Sequence, residues 1–165
     1  MDTVKEFENT LDEIAIQTSE EIIRILQDRM EIMVKQYYVQ FYHQNSHRPP
    51  GSKSGSIGIT RRKYRDRKYF YWAVFNRNNY LAHDERRINF CRVFKKGGKR
   101  KFAYNTDIIC KNSPEWERRL VERYEKQFSI MRAALAKQRK ILRAQKLANS
   151  DLHDILVELE PHFRQ

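Results

Sequence analysis

The residues best suited to chemistry form a basic and aromatic run from Arg61 to Trp72. In this run arginine and lysine stand beside tyrosine, phenylalanine and tryptophan, and a single acid, Asp66, interrupts the cations. Residues 48–104 hold 17 Lys and Arg against three Asp and Glu, so the excess charge of the chain, +12 in total, is concentrated there. Each cation that neutralises a phosphate releases a condensed counterion, so such a block is typical of nucleic-acid binding. The alternative is a solvated basic surface without a specific partner.

Two clusters of cations are the candidate contacts with nucleic acid. The first belongs to the basic run, where an extended chain would place Arg61, Lys63, Arg65 and Arg67 on one face. The second surrounds Gly97-Gly98, a strong hairpin signal whose narrow tip could reach a DNA backbone or minor groove. The predicted contact residues are Arg61, Arg62, Lys63, Arg65, Arg67, Lys68, Arg77, Lys95, Lys96, Lys99, Arg100 and Lys101. Arginine can read guanine and both cations hold phosphates, although a flexible loop would make phosphate contacts alone.

No residue set predicts an enzyme, a metal site or a cofactor. His83-Asp84-Glu85 are consecutive and do not converge on one point, and the P-loop, HExxH and GxSxG motifs are absent. His43 and His47 have helical spacing but no nearby Cys, Asp or Glu to complete a metal site. The apolar runs are too short to cross a membrane and the acidic start is unlike a secretory signal, so we expect a cytoplasmic protein.

Residues 1–46 predict one long amphipathic helix. Apolar residues recur at steps of three and four from Val4 to Val39, and no Gly or Pro interrupts them. A stripe of this length must be covered, either by a second copy in a homodimer through residues 4–42 or by the later helix of the same chain. A stretch of Pro, Gly and Ser at 47–56 then predicts a linker.

The rest of the chain predicts an α+β fold. Residues 57–105 are rich in β-formers and indicate a basic antiparallel sheet of three to four strands, in which Trp72 belongs to the core and Arg100–Tyr104 form the last strand. In the segment 113–165, Ser113-Pro114 start a long helix that packs on the sheet, and Asn149-Ser150-Asp151 cap a separate short helix at Leu152–Leu159.

The order of these features resembles two kinds of known protein. The sheet and the helix after it, about residues 55–128, are similar to the arm-site domains of tyrosine integrases and to plant AP2-type domains, which read DNA with the sheet. The whole chain resembles the MobI family of mobilisation proteins in its size, its acidic N-terminal helix and the Ile57–Arg77 stretch with Tyr-Phe-Tyr-Trp. That resemblance implies an accessory factor of conjugation that acts at the origin of transfer beside a nicking relaxase, and it carries over no catalytic residues.

The sequence therefore predicts a sequence-specific or structure-specific duplex-DNA-binding accessory protein, which would recruit a relaxase or another transfer protein through its acidic helix. One alternative is an RNA-binding or ribosome-associated protein, because basic aromatic sheets serve RNA as well. The other is a coiled-coil adaptor that binds proteins, whose complexes would form equally well at high salt.

Overall fold

The fold is α+β, as predicted. The computed structural model describes residues 2–65, 67–75, 90–94 and 102–159. The elements are α1 (Asp2–Ser46), β1 (Ile57–Tyr64), β2 (Arg67–Phe75), β3 (Phe90–Val93), α2 (Thr106–Ile109) and α3 (Glu115–Leu159). They form two compact units. The sheet unit is Asp28–Arg132, and the helical unit joins Met1–Gln27 to Ala133–Gln165.

The sheet unit is built on an antiparallel sheet with the strand order β1-β2-β3. Strands β1 and β2 form a hairpin in which Tyr64 pairs with Arg67, so the turn has two residues. Such turns favour a positive φ, and Arg65 has a φ of 51°. In the described part of the predicted fourth strand, Phe102–Tyr104 are irregular and bond to side chains of α3. The Phe102 carbonyl accepts a hydrogen bond from Arg132, and the Tyr104 amide donates one to Glu125.

The core of the sheet unit is mainly aromatic. Trp72 of β2 is 1% exposed, which confirms its predicted place in the core. Its ring meets Tyr37 of α1 at a centroid distance of 5.2 Å and Phe128 of α3 at 6.1 Å, both edge to face. Tyr37 also contacts Tyr124 edge to face at 5.4 Å. Edge-to-face pairs each contribute about 0.5–1.5 kcal/mol beyond their buried area, so these rings tie both helices to the sheet.

The last helix is longer than predicted. The separate short helix at Leu152–Leu159 is wrong, since α3 continues without a break from Glu115 to Leu159. Asn, Ser and Asp in a helix interior each cost only tenths of a kcal/mol relative to Ala, and no Gly or Pro stands there to stop the helix. The short helix α2 was not predicted. It begins after Asn105, whose side chain accepts a hydrogen bond of 3.0 Å from the Asp107 amide.

Within its own chain, helix α1 buries a face other than the stripe of isoleucine and valine. In the helical unit, Ile14 is 52% and Ile25 is 55% exposed; in the sheet unit, Val39 is 70% exposed. The buried apolar residues of α1 are instead Met30, Met33, Tyr37 and Phe41. In the part of the chain that the structure describes, the later helix therefore does not cover the isoleucine and valine stripe.

The helical unit pairs the two ends of the chain. Ser19 of α1 donates a hydrogen bond of 2.7 Å to the Gln145 side chain of α3, and Lys146 forms an ion pair of 2.6 Å with Glu20. Among the described residues, neither α1 nor α3 contains a stretch apolar and long enough to cross a membrane.

Candidate nucleic-acid interface

The hairpin of β1 and β2 has two faces with different residues. Paired residues of an antiparallel hairpin lie on the same face, and successive residues alternate between faces. The inner face is set by the buried Ile59 and Trp72, which pair with each other. Its further members are Ile57, Val74, Phe70, Arg61, Lys63 and Lys68. The outer face carries Thr60, Arg62, Tyr64, Arg67, Tyr69 and Tyr71.

The prediction that Arg61, Lys63, Arg65 and Arg67 share one face is therefore wrong. It assumed one extended strand, whereas the chain reverses between Tyr64 and Arg67. The turn places Arg67 on the second strand opposite Tyr64, which is an outer-face position. Arg61 and Lys63 remain together on the inner face. The basic run is thus divided between the two sides of the sheet.

On the inner face, the cations nearest the core are neutralised by α1. Glu31 accepts from Arg61 at 3.0 Å and from Lys68 at 2.9 Å, and Asp28 lies 3.7 Å from Lys68. The hydrogen bond from Lys68 is the main cause that lowers the pKa of Glu31 below its usual 4.5, and the bond from Arg61 acts in the same direction. Arg61 and Lys68 therefore attach the hairpin to the helix.

Four cations on the outer face and at the end of the hairpin remain exposed. Arg62 and Arg67 are exposed, as are Lys63 and Arg65 at the end of the hairpin. Within the described residues no carboxylate lies within 4.0 Å of these four cations. These four exposed cations, which have no carboxylate near them in the described part of the chain, form an electrostatic surface suited to phosphate groups.

Aromatic rings lie among these cations. The Arg62 guanidinium is 5.8 Å from the centre of the Tyr71 ring, and Arg65 is 5.6 Å from that of Tyr64. Tyr69 and Tyr71 have centroids 6.5 Å apart and planes inclined by 28°. Tyr64 is 64% exposed. Both distances to the guanidinium groups fall within cation–π range, so charge and aromatic surface occur together on the outer face.

The free edge of β1 is sealed near the core. Tyr38 of α1 donates to the Ile59 carbonyl at 2.9 Å and accepts from the Ile59 amide at 3.0 Å. Tyr37 donates to the Ile57 carbonyl at 2.9 Å, and the Ile57 amide donates to Glu117 at 2.7 Å. Burial raises the pKa of Tyr38 to about 12, so its hydroxyl stays protonated. These contacts block strand addition there and fix the hairpin to both helices.

A buried ion pair holds β2 against α3. Glu125 is 4% exposed and accepts from the Trp72 indole at 2.6 Å, from the Tyr104 amide at 2.7 Å and from Arg132. Arg132 also donates to the Phe102 carbonyl at 2.7 Å. This set of contacts was not predicted from the sequence. Its one signal was that Glu125 and Arg132 lie seven apart on the apolar side of a helix, where charged residues need partners.

One comparison with known proteins gives a match. A family model described as MobI protein matches residues 26–146, nearly three quarters of the chain. The chain belongs to the MobI family. The match spans the second half of α1, the whole hairpin and most of α3, so it includes the outer face. Membership gives this protein a role in conjugative mobilisation, which agrees with the resemblance drawn from its sequence.

Other comparisons give no match. No curated protein and no solved structure is similar to the chain at a significant level. The architectural resemblance to integrase arm-site and AP2-type domains therefore receives no support from known structures. For this MobI protein, the assignment of residues to DNA contact rests on its own geometry.

Several predicted positions lie outside the described residues. They are Arg77, Lys95, Lys96, Lys99, Arg100 and Lys101, with the Gly97-Gly98 tip and His83-Asp84-Glu85. Where this MobI chain is described, no group of three or more His, Cys, Asp or Glu is placed to hold a metal ion. The exposed His43 and His47 rings stack on each other at 4.4 Å. Cys110 is a free, buried thiol whose pKa burial raises to about 12.

Proposed function

We propose that this MobI-family protein is a DNA-binding accessory factor that acts on duplex DNA at an origin of transfer and assists a relaxase there. The family supplies the role in mobilisation. The proposed DNA contact is supported by a difference between the two faces of the hairpin. On the inner face, Arg61 is neutralised by Glu31. The outer-face cations have no carboxylate within 4.0 Å in the described residues. Cations left unpaired at an exposed site favour a polyanionic partner.

The proposed contact is made by Arg62 and Arg67 on the outer face, together with Lys63 and Arg65 at the exposed end of the hairpin. A two-stranded ribbon fits the major groove of B-DNA, where arginine can form two hydrogen bonds to guanine while neighbouring cations hold phosphates. Arg61 and Lys68 would support this contact from the inner face by fixing the hairpin on α1. The cations at 77 and 95–101 stay predicted contacts.

The test uses matched pairs on the two faces. The double variant Arg62→Ala/Arg67→Ala removes two outer cations, and Arg61→Ala/Lys68→Ala removes the same charge from the inner face. Binding to duplex origin DNA is titrated against salt. We expect the outer variant to flatten the slope of log K against log salt by about 1.8, at about 0.9 per lost phosphate contact.

The inner variant should keep the wild-type slope, because those cations are held by Glu31. The loss of the ion pairs with Glu31 should appear instead as a lower midpoint of thermal unfolding. Equal flattening by both variants would contradict the assignment of the faces. Structured RNA is added as a competitor to test the alternative of an RNA-binding protein. Displacement of duplex DNA by RNA at equal concentration would favour an RNA partner.

We propose further that the protein has no catalytic activity of its own and that α1 supplies protein contacts. Residues 1–47 carry nine acids and four cations, which suits a basic surface of a relaxase or another transfer protein. Recruitment would then place the enzyme beside the bound site.

Self-association through α1 is supported by its exposed stripe. Ile32 and Val39 in the sheet unit are 45% and 70% exposed, and this is the face that a second helix would cover. Sedimentation velocity on the full chain should show a dimer. The double variant Ile32→Lys/Val39→Lys should shift it to the monomer, and a wild-type chain that stays monomeric at every accessible concentration would refute the proposal.

A further inference from the structure

We propose that the outer face of the hairpin also takes unpaired DNA, with nucleobases stacking on Tyr64, Tyr69 and Tyr71. This inference rests on the proposed function and names a substrate form for the same site. It would give the protein a means to hold a locally melted or single-stranded segment of the origin DNA.

Three tyrosines, Tyr64, Tyr69 and Tyr71, lie on the outer face of the hairpin. The core of the sheet unit already contains Trp72, Tyr37 and Phe128, yet three more rings line the opposite side of the sheet. Tyr64 is 64% exposed, and Tyr69 and Tyr71 are partly exposed. Phosphate contact alone requires no aromatic surface there. Aromatic rings that remain accessible among cations are what single-strand binding surfaces use, because every base has a flat face to stack.

The spacing of rings and charges also supports stacking. Tyr69 and Tyr71 are inclined by only 28°, so both rings present similarly oriented planes. Arg62 lies 5.8 Å from the Tyr71 ring centre and Arg67 is exposed on the neighbouring strand position, opposite Tyr64. Guanidinium planes stack on bases as well as neutralising phosphates. The face therefore offers both a stacking surface and charge for one unpaired strand.

In a duplex, the flat faces of the bases are not accessible to a tyrosine ring. Paired bases stack on one another and show only their edges in the grooves, so a tyrosine ring gains no stacking partner from intact duplex. A melted segment exposes those faces. A base stacked on an aromatic ring contributes so much binding free energy that removal of the ring should weaken binding about tenfold. Stacking also tolerates any base sequence. The proposed unpaired strand is DNA, because the family acts in mobilisation.

The test compares four fluorescent probes of one sequence with the full chain: a duplex, the duplex with a central unpaired bubble, its single DNA strand and the matching RNA strand. The expected result is binding of the bubble and the single DNA strand about tenfold tighter than the duplex. Tyr71→Leu should weaken binding of the bubble and the single strand about tenfold and duplex binding by much less, and Tyr71→Phe should retain the preference, because the phenyl ring still stacks.

Tyr64→Ala serves as a second variant, because its exposed ring can be removed without disturbing the core. It should weaken bubble binding several-fold more than it weakens duplex binding. Equal affinity for duplex and bubble, or the same preference in Tyr71→Leu and wild type, overturns the inference while the proposed function stands. RNA bound more tightly than its DNA counterpart also overturns it. Failure to bind any DNA probe is the separate result that overturns the proposed function.

Discussion

The buried carboxylate of Glu125 gives the sharpest test of how the sheet unit is stabilised. The variant Glu125→Ala removes the acceptor of three donors and leaves the Arg132 side chain, 8% exposed, without its counterion. Breaking a buried ion pair on one side costs about 3–5 kcal/mol. The Trp72 indole and Tyr104 amide each add up to about 1–3 kcal/mol unless water reaches them. Because these costs are not additive, we expect a total loss of about 4–6 kcal/mol.

The assay is urea unfolding followed by tryptophan fluorescence. Both tryptophans, Trp72 and Trp116, belong to the sheet unit, so the signal reports on that unit. A loss of this size is a large part of the 5–15 kcal/mol that is typical of a whole domain. The control Glu125→Met/Arg132→Met removes both charges and should be more stable than Glu125→Ala, since no uncompensated charge remains. A loss below about 1 kcal/mol in Glu125→Ala would refute the reasoning.

Two further predictions concern the attachment of the hairpin and the segment before it. Because the pKa of Glu31 is lowered in the folded state, mainly by Lys68, its ion pair contributes stability above pH 4.5 that is lost as pH falls through the folded value. Acid unfolding of Glu31→Gln should thus be less steep than wild type below that pH; identical profiles would contradict this. In Gly55→Ala, the new Cβ would lie 2.5 Å from the Trp116 ring, so urea unfolding should show a loss of about 1–3 kcal/mol. Gly51→Ala, with open space but a φ of +79°, should lose only about 1 kcal/mol, and a larger loss there would contradict the packing argument.

The sequence was sufficient for the features that depend on local pattern. The β-formers around Trp72, the Ser113-Pro114 helix start and the long helix before Ser46 all appear close to their predicted places. These signals depend on residue type and short-range spacing. The concentration of positive charge in the middle of the chain is likewise a property of composition alone.

The division of the basic run could not be predicted, because it depends on where the chain turns. Arg65-Asp66 is not a typical hairpin pair such as Asn-Gly, so nothing local marked the turn. Only the pairing of Tyr64 with Arg67 reveals which cations face α1. The buried face of α1 was missed for a related reason. The helix has two apolar stripes, and a pattern of isoleucines cannot reveal that the one with Met30 and Tyr37 faces the core.

The alternation of the hairpin also limits how its length can vary during evolution. Loss of Thr60 alone would move Arg62 into the inner position beside Glu31 and send Arg61 to the outer face, exchanging every later residue of β1 between the two sides. Removing two consecutive residues from each strand would instead shorten the hairpin by about 7 Å and leave the residues of both faces on their own sides. The reach of this hairpin can therefore change in steps of two residues per strand, while single insertions or deletions would exchange residues between its inner and outer faces.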